Sequence, residues 1–241
     1  MPEDQAELVK AGAQGIVEGA MKPFSDLLLA LLGPAASEAG LMLKDSVQHY
    51  RQMRRIRFFE RTREILDEAQ IRPGPVSLKI LLPIIENATN EEDDDLQDRW
   101  ATLLANSANP AYASKVHPSF PAILKELTAR DVKFLDTIFD WASSMRGNSL
   151  DSRIEDVSFN YKTVMHIFRS AGLERDDGPK METIKANIRA RNLSIDTFER
   201  NGILARDYGV AGRSKEGEVD VGSVMRFTDL GVCFVCACRN P

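Results

Sequence analysis

The chain has 241 residues, 43% of them hydrophobic and 28% charged, with a formal net charge of -5. This composition excludes a largely disordered protein, and the length leaves room for one large core or two small ones, of which two are expected. The negative balance excludes attraction of the whole protein to nucleic acid or anionic lipid and leaves only local patches for that work.

Residues 1–23 are rich in Ala and Gly, and Ala11, Gly15 and Gly19 stand four apart, which gives a helix a smooth packing face. Phe24 to Leu32 is a short apolar run, broken at Gly33-Pro34 and resumed from Ala35 to Leu43. Asp26, Glu38 and the Gly-Pro break leave too few uninterrupted apolar residues for an ordinary membrane span. A buried helical hairpin is expected, and a membrane-active element over residues 11–43 is the alternative. The start lacks the cationic and apolar regions of a signal peptide, so a cytoplasmic protein is expected.

From Ala36 to Gln70 the pattern predicts one long helix, because Leu43, Val47, Tyr50, Arg54, Arg57 and Arg61 advance by three or four without a proline. Arg51, Arg54, Arg55, Arg57, Arg61 and Arg63 stand against Glu60 alone, a local net of +5. Ile71-Arg-Pro-Gly-Pro75 reads as a turn, and Val76 to Asn87 as a further helix that tolerates Pro83 as a kink or first-turn residue. Residues 86–98 then hold seven acids and no base. Thr89 and Glu92 fit a capping box, placing Glu91, Glu92, Asp93, Asp94 and Asp95 in a first turn, where the helix dipole favours negative charge. Leu96, Trp100, Leu103 and Leu104 continue as a buried stripe.

Opposite charge on neighbouring helices predicts that the basic and acidic segments face each other, within one chain or between two copies. The candidate partner or self-association surface is therefore Arg51, Arg54, Arg55, Arg57 and Arg61 with Glu91, Glu92, Asp93, Asp94 and Asp95. A divalent-metal site needs ligands converging from elsewhere, and no second acidic cluster or histidine pair offers them. No metal and no cofactor is expected.

Asn109 to Pro121, with prolines at 110, 118 and 121, predicts an ordered non-helical linker between an all-helical domain, residues 1–108, and a second domain, residues 122–241. Thr128-Ala-Arg-Asp131 is a capping box opening an amphipathic helix through Val132, Leu135, Ile138, Phe139 and Ala142. A second helix runs from Asn160 to Ala171 and stops at Gly172; a third runs from Lys180 to Asn201 and stops at Gly202. Ile203–Tyr208 and Ser223–Phe227 read as two strands of a hairpin around a Gly-rich loop, and Thr228-Asp-Leu-Gly opens a last apolar helix through Cys238. This order predicts a winged-helix-like α+β domain behind the helical one, a mainly α protein overall.

Chemistry-bearing motifs are few. Cys233, Cys236 and Cys238 lack an evident fourth metal ligand and read as small core residues beside Val232, Phe234 and Val235. His117 reads as a turn-stabilising hydrogen-bonder, and His166, within Val-Met-His-Ile-Phe, as packed in a helix interface. No Gly-x-Ser-x-Gly, P-loop, His-Glu-x-x-His or Rossmann pattern occurs, so no enzyme is expected. Across residues 180–226 nine basic residues stand against seven acids. Lys185, Arg189, Arg191, Arg200, Arg213 and Lys215 are the candidate nucleic-acid contacts, with only a weak positive balance behind them.

Three segments together resemble the bacterial abortive-infection alpha family. They are Leu31-Leu-Gly-Pro-Ala-Ala-Ser-Glu-Ala-Gly-Leu-Met-Leu; Leu81-Leu-Pro-Ile-Ile-Glu-Asn-Ala with the acidic block and Trp100-Ala-Thr-Leu-Leu-Ala-Asn; and His117-Pro-Ser-Phe with Asp196-Thr-Phe-Glu-Arg-Asn-Gly-Ile-Leu and Phe227-Thr-Asp-Leu-Gly. The resemblance spans roughly residues 25 to 238 and carries no catalytic residue onto this chain. It implies a role in phage defence, in which an infected cell stops growing or dies before the virus matures. A non-enzymatic protein acting through a protein partner or as a homo-oligomer is expected, with a phage-derived trigger. A DNA-binding regulator and a membrane-surface effector are the alternatives.

Overall fold

The computed structural model describes residues 49–146, 153–174, 181–207, 211–213, 219–221 and 224–239. They divide into two compact units, one ending at Pro121 and the other spanning Ala122–Arg239. The readings made on residues 1–48 lie outside the described residues. The fold is mainly helical, with a small antiparallel sheet in the second unit.

The first unit is built on α1 (His49–Glu68), α2 (Leu78–Asn90) and α3 (Asp94–Ala108). Phe58, Phe59, Ile65 and Leu66 supply the buried stripe of α1, and Ile80, Leu81, Ile84, Ile85 and Ala88 that of α2. Pro83 lies inside α2, where its missing N–H removes the bond to the Lys79 carbonyl, and Asn87 Nδ2 donates to the Pro83 carbonyl at 2.6 Å. Every residue of α3 from Trp100 to Ala108 is buried, including Thr102, Asn106 and Ser107. A helix covered all round is the centre of its unit. Thr102 and Ser107 answer burial by donating to the carbonyls of Asp98 and Leu103, at 2.9 and 2.6 Å.

The helix start at the acidic block corrects the expected capping box. Thr89 lies in the last turn of α2, its hydroxyl donating to the Glu86 carbonyl at 3.1 Å, and Asp93 caps α3 by accepting from Leu96 N at 3.0 Å. Only Asp94 and Asp95 lie in the first turn of α3. Residues 109–121, expected to cross without helix, hold a 3₁₀ turn at Ala113–Lys115 and the start of α4 (Phe120–Lys125).

The second unit continues with α5 (Ala129–Met145), β1 (Phe159–Asn160), α6 (Tyr161–Ser170), α7 (Met181–Arg200), β2 (Leu204–Asp207), β3 (Ala211–Arg213), β4 (Val219–Val221), β5 (Val224–Phe227) and α8 (Asp229–Ala237). The capping box at α5 forms as its sequence predicts, with Asp131 Oδ2 accepting from Thr128 N at 2.9 Å. The other oxygen of this buried carboxylate accepts from Ser194 Oγ on α7, so one aspartate caps α5 and ties it to α7. Seven phenylalanines make the core, with Phe134 and Phe168 edge to face at 4.9 Å and Phe139 and Phe227 at 5.5 Å.

The hairpin of β2 and β5 forms with Leu204 opposite Phe227 and Asp207 opposite Val224. Two features were not expected. β1 pairs antiparallel with the other edge of β5, giving the order β1-β5-β2, and β3 pairs with β4 inside the segment expected to be a plain loop.

Candidate interaction surfaces

In the first unit, Arg54, Arg57 and Arg61 recur at three and four residues and therefore share one face of α1. Asp94 and Asp98 are four apart on α3 and meet that face. Asp94 Oδ1 accepts from Nη1 of Arg54 at 2.6 Å and also from Arg57; Asp98 lies 3.6 Å from Arg57 and 3.5 Å from Arg61. Arg54 Nε donates to the Glu91 carbonyl at 2.8 Å, and its side chain is only 15% exposed. The Arg54 guanidinium, with help from Arg57, holds the Asp94 carboxyl below the usual carboxylate range.

Sequence reasoning missed the residue at the centre of this contact. Gln97 is buried, accepts from Arg57 Nη1 at 3.0 Å, and donates to the carbonyls of Arg54 at 3.2 Å and Ala88 at 3.0 Å. One amide thereby joins all three helices, with its polar atoms satisfied. A lone Gln among carboxylates gives no pattern signal that could have found it.

The basic and acidic segments thus meet within the chain, through Arg54, Arg57, Arg61, Asp94 and Asp98. Of the other candidates, Asp93 is the cap, and Glu91 Oε1 accepts from Asp93 N at 3.1 Å. Glu92 and Asp95 are exposed. Arg55 is half-buried, and burial lowers the pKa of its guanidinium. Arg51 lies in α1, and its side chain is not described.

His117 Nδ1 accepts from Ser119 N at 3.2 Å and lies 2.8 Å from Ser119 Oγ, the turn-stabilising role expected of it. His166 is exposed on α6, which corrects the expectation of a packed interface. Cys238 is buried and Cys233 and Cys236 half-buried on and beside α8, with no disulfide joining them.

In the second unit the basic candidates separate. Lys185 and Arg189 stand exposed on α7. Arg191 points inward: it is 3% exposed, its guanidinium lies 4.5 Å over the Tyr161 ring and donates to the Tyr161 hydroxyl, and burial lowers its pKa. It is therefore not available to a phosphate. Arg200 is engaged by Glu126 at 2.9 Å. Arg213 lies in β3 with its side chain not described, and Lys215 is outside the described residues.

Beside Arg191 a shallow cleft of about 170 Å³ is lined by Tyr161, Asn192, Ile195, Asp196, Arg206 and Met225. Arg206 is paired with Glu199 at 2.6 Å, so it adds no free positive charge to a cleft that Asp196 also lines. Along α7, Met181, Ile184, Ile188 and Leu193 are exposed large apolar residues.

Parts of the segments that carry the family resemblance and lie among the described residues have structural jobs here. Trp100 is 1% exposed at the centre of the first unit. Asn-Gly-Ile-Leu at 201–204 and Thr-Asp-Leu-Gly at 228–231 dock on each other: Thr228 N donates to the Ile203 carbonyl at 3.1 Å, and Thr228 Oγ1 donates to the Gly202 carbonyl and accepts from Gly231 N at 2.9 Å. A Cβ on Gly231 would sit 2.1 Å from the Ile203 carbonyl oxygen, so only glycine fits. No curated protein and no solved structure matches the chain. A family model described as Abortive infection alpha matches residues 50–238. The chain belongs to the abortive infection alpha family.

Proposed function

We propose that the protein serves in abortive infection, limiting phage in an infected bacterium through protein-protein contact and without chemistry of its own. Family membership supports the defence role. The observation that carries the contact reading is α7, whose first half leaves Met181, Ile184 and Ile188 uncovered in a row. Aligned apolar residues left in water mark a surface that another protein covers. Three polar residues that could have served catalysis, Asp131, His117 and Arg191, have structural partners instead.

We place the protein in the cytoplasm, a setting consistent with cysteines that form no disulfide. Among the described residues, no helix is long and apolar enough to cross a membrane. Replacing both Ile184 and Ile188 with Asp is expected to abolish protection in a plaque assay while helical content by circular dichroism is unchanged. Plaque counts equal to wild type would overturn the contact reading. Metal-dependent cleavage of plasmid or total RNA by the purified chain would overturn the non-enzymatic one.

A DNA-binding reading is favoured by one observation, the order of helix, strand, two helices and hairpin with β5 central in the sheet, which we read as winged-helix-like. The charges weigh against it. Two of its six candidate bases, Arg191 and Arg200, are engaged within the chain, and Asp196 faces the same cleft. Gel shifts on genomic fragments that are strong and weaken steeply with salt would restore it.

A further inference from the structure

We propose that the exposed half of α7 receives a second copy of this chain, packed antiparallel about a two-fold axis between Lys185 and Ala186. The inference rests on the contact reading above and names its partner.

Met181, Ile184 and Ile188 are 65%, 46% and 40% exposed and recur at three and four residues, so they form one stripe. The stripe is continuous with the core-facing row of the same helix, where Arg191, Ser194, Ile195 and Phe198 are buried. The helix thus carries its apolar face past the core it packs on. Covering that extension removes apolar surface from water without rearranging the unit.

Charge identifies what covers it. Glu182, Lys185 and Arg189 follow the stripe at the same spacing along one flank, all exposed. None of them has a hydrogen bond or ion pair among the described residues. In an antiparallel symmetric pair each flank faces its own copy in reverse. Residues 182 and 189 are equidistant from the proposed axis, so Glu182 opposes Arg189 of the second copy and Arg189 opposes its Glu182. Ile184 lies within one residue of facing Ile188 of the second copy, so the apolar stripes also meet across the seam. A parallel pair would set this flank against Thr183 and Asn187 and form neither ion pair. Lys185 meets its counterpart near the axis, a like-charge contact that salt screens and its long stem can turn away from.

Sedimentation velocity on the full chain at low salt tests the pairing. A concentration-dependent dimer is expected for wild type and a monomer for Ile184→Asp with Ile188→Asp. Glu182→Arg and Arg189→Glu each convert two attractive pairs into repulsive ones and should weaken the dimer about tenfold or more. The double variant, which restores opposite charge, should recover it. A wild-type monomer at every concentration, or a double variant no tighter than the singles, would overturn the proposal. A wild-type monomer whose plaque protection still depends on Ile184 and Ile188 would overturn the dimer and leave the contact reading standing with another protein. A monomer that shifts DNA through Lys185 and Arg189 would overturn both.

Discussion

Three of the described helices end in the same way, and one of them does so with the wrong residue. After α6 and α7, Gly172 and Gly202 take φ of +67° and +68°, while after α1 the position falls to Gln70 at φ +54°. At each end the following two amides close back on the helix, as Gln70 N does on Asp67 and Ile71 N on Leu66, at 3.0 and 2.8 Å. Left-handed backbone costs a residue with a Cβ about 1 to 2 kcal/mol, so Gln70→Gly should raise the unfolding free energy by about 1 kcal/mol in urea titration. Gly231→Ala should act in the other direction, lowering it by about 3 kcal/mol, because the contact that must give is backbone on backbone. If both variants unfold at the wild-type midpoint, these local geometries are not what holds the ends. Both glycines of the 201–231 docking were visible in the sequence as motif letters. Their reason was not, since the close approach joins residues 28 apart in the chain.

At the scale of elements, the pairing of α1 with α3 is electrostatic at its edge and amide-linked at its centre. Asp94 is held below its ordinary pKa, first by its hydrogen bond from Arg54 and then by the charge of Arg57. In the unfolded chain its pKa returns to about 3.9. A depressed folded value means the contribution is fully present above the unfolded pKa and fades as pH falls through the folded one. Stability should therefore drop on acidification below about pH 4, and Asp94→Asn should lose part of that drop while being weaker at pH 7. Urea midpoints measured from pH 7 to pH 3 check the sign; an Asp94→Asn profile parallel to wild type throughout would remove Asp94 from the account. The opposite charges of these helices were legible as blocks of arginine and aspartate. The hydrogen bonds of Gln97 were not, because a buried amide is recognised only by the three backbones it reaches.

For the molecule as a whole, two kinds of surface change should lose phage protection for different reasons. Reversing Arg54, Arg55 and Arg57 to Glu places three carboxylates against Asp94, Asp98 and the half-buried end of α1. Protection should fall together with helical content, read by circular dichroism at 222 nm. The apolar variant on α7 should lose protection with its helical content intact. A folded arginine-reversal variant that still loses protection would make that face a partner site instead of an internal clasp.

The sequence by itself determined the helices with long apolar stripes, the Thr128 cap and the glycine stops at 172 and 202. Each is written in local spacing, which a helix of 3.6 residues per turn reads out without knowing the rest of the fold. Tertiary structure alone decided that Asp93 and not Thr89 starts α3, and that a two-residue strand completes the sheet. It alone turned Arg191 inward under Tyr161 while Ile184 and Ile188 were left uncovered. Those outcomes depend on which residues distant in the chain arrive at the same place, and the apolar row of α7 has one period whether its neighbour is core, water or a second copy.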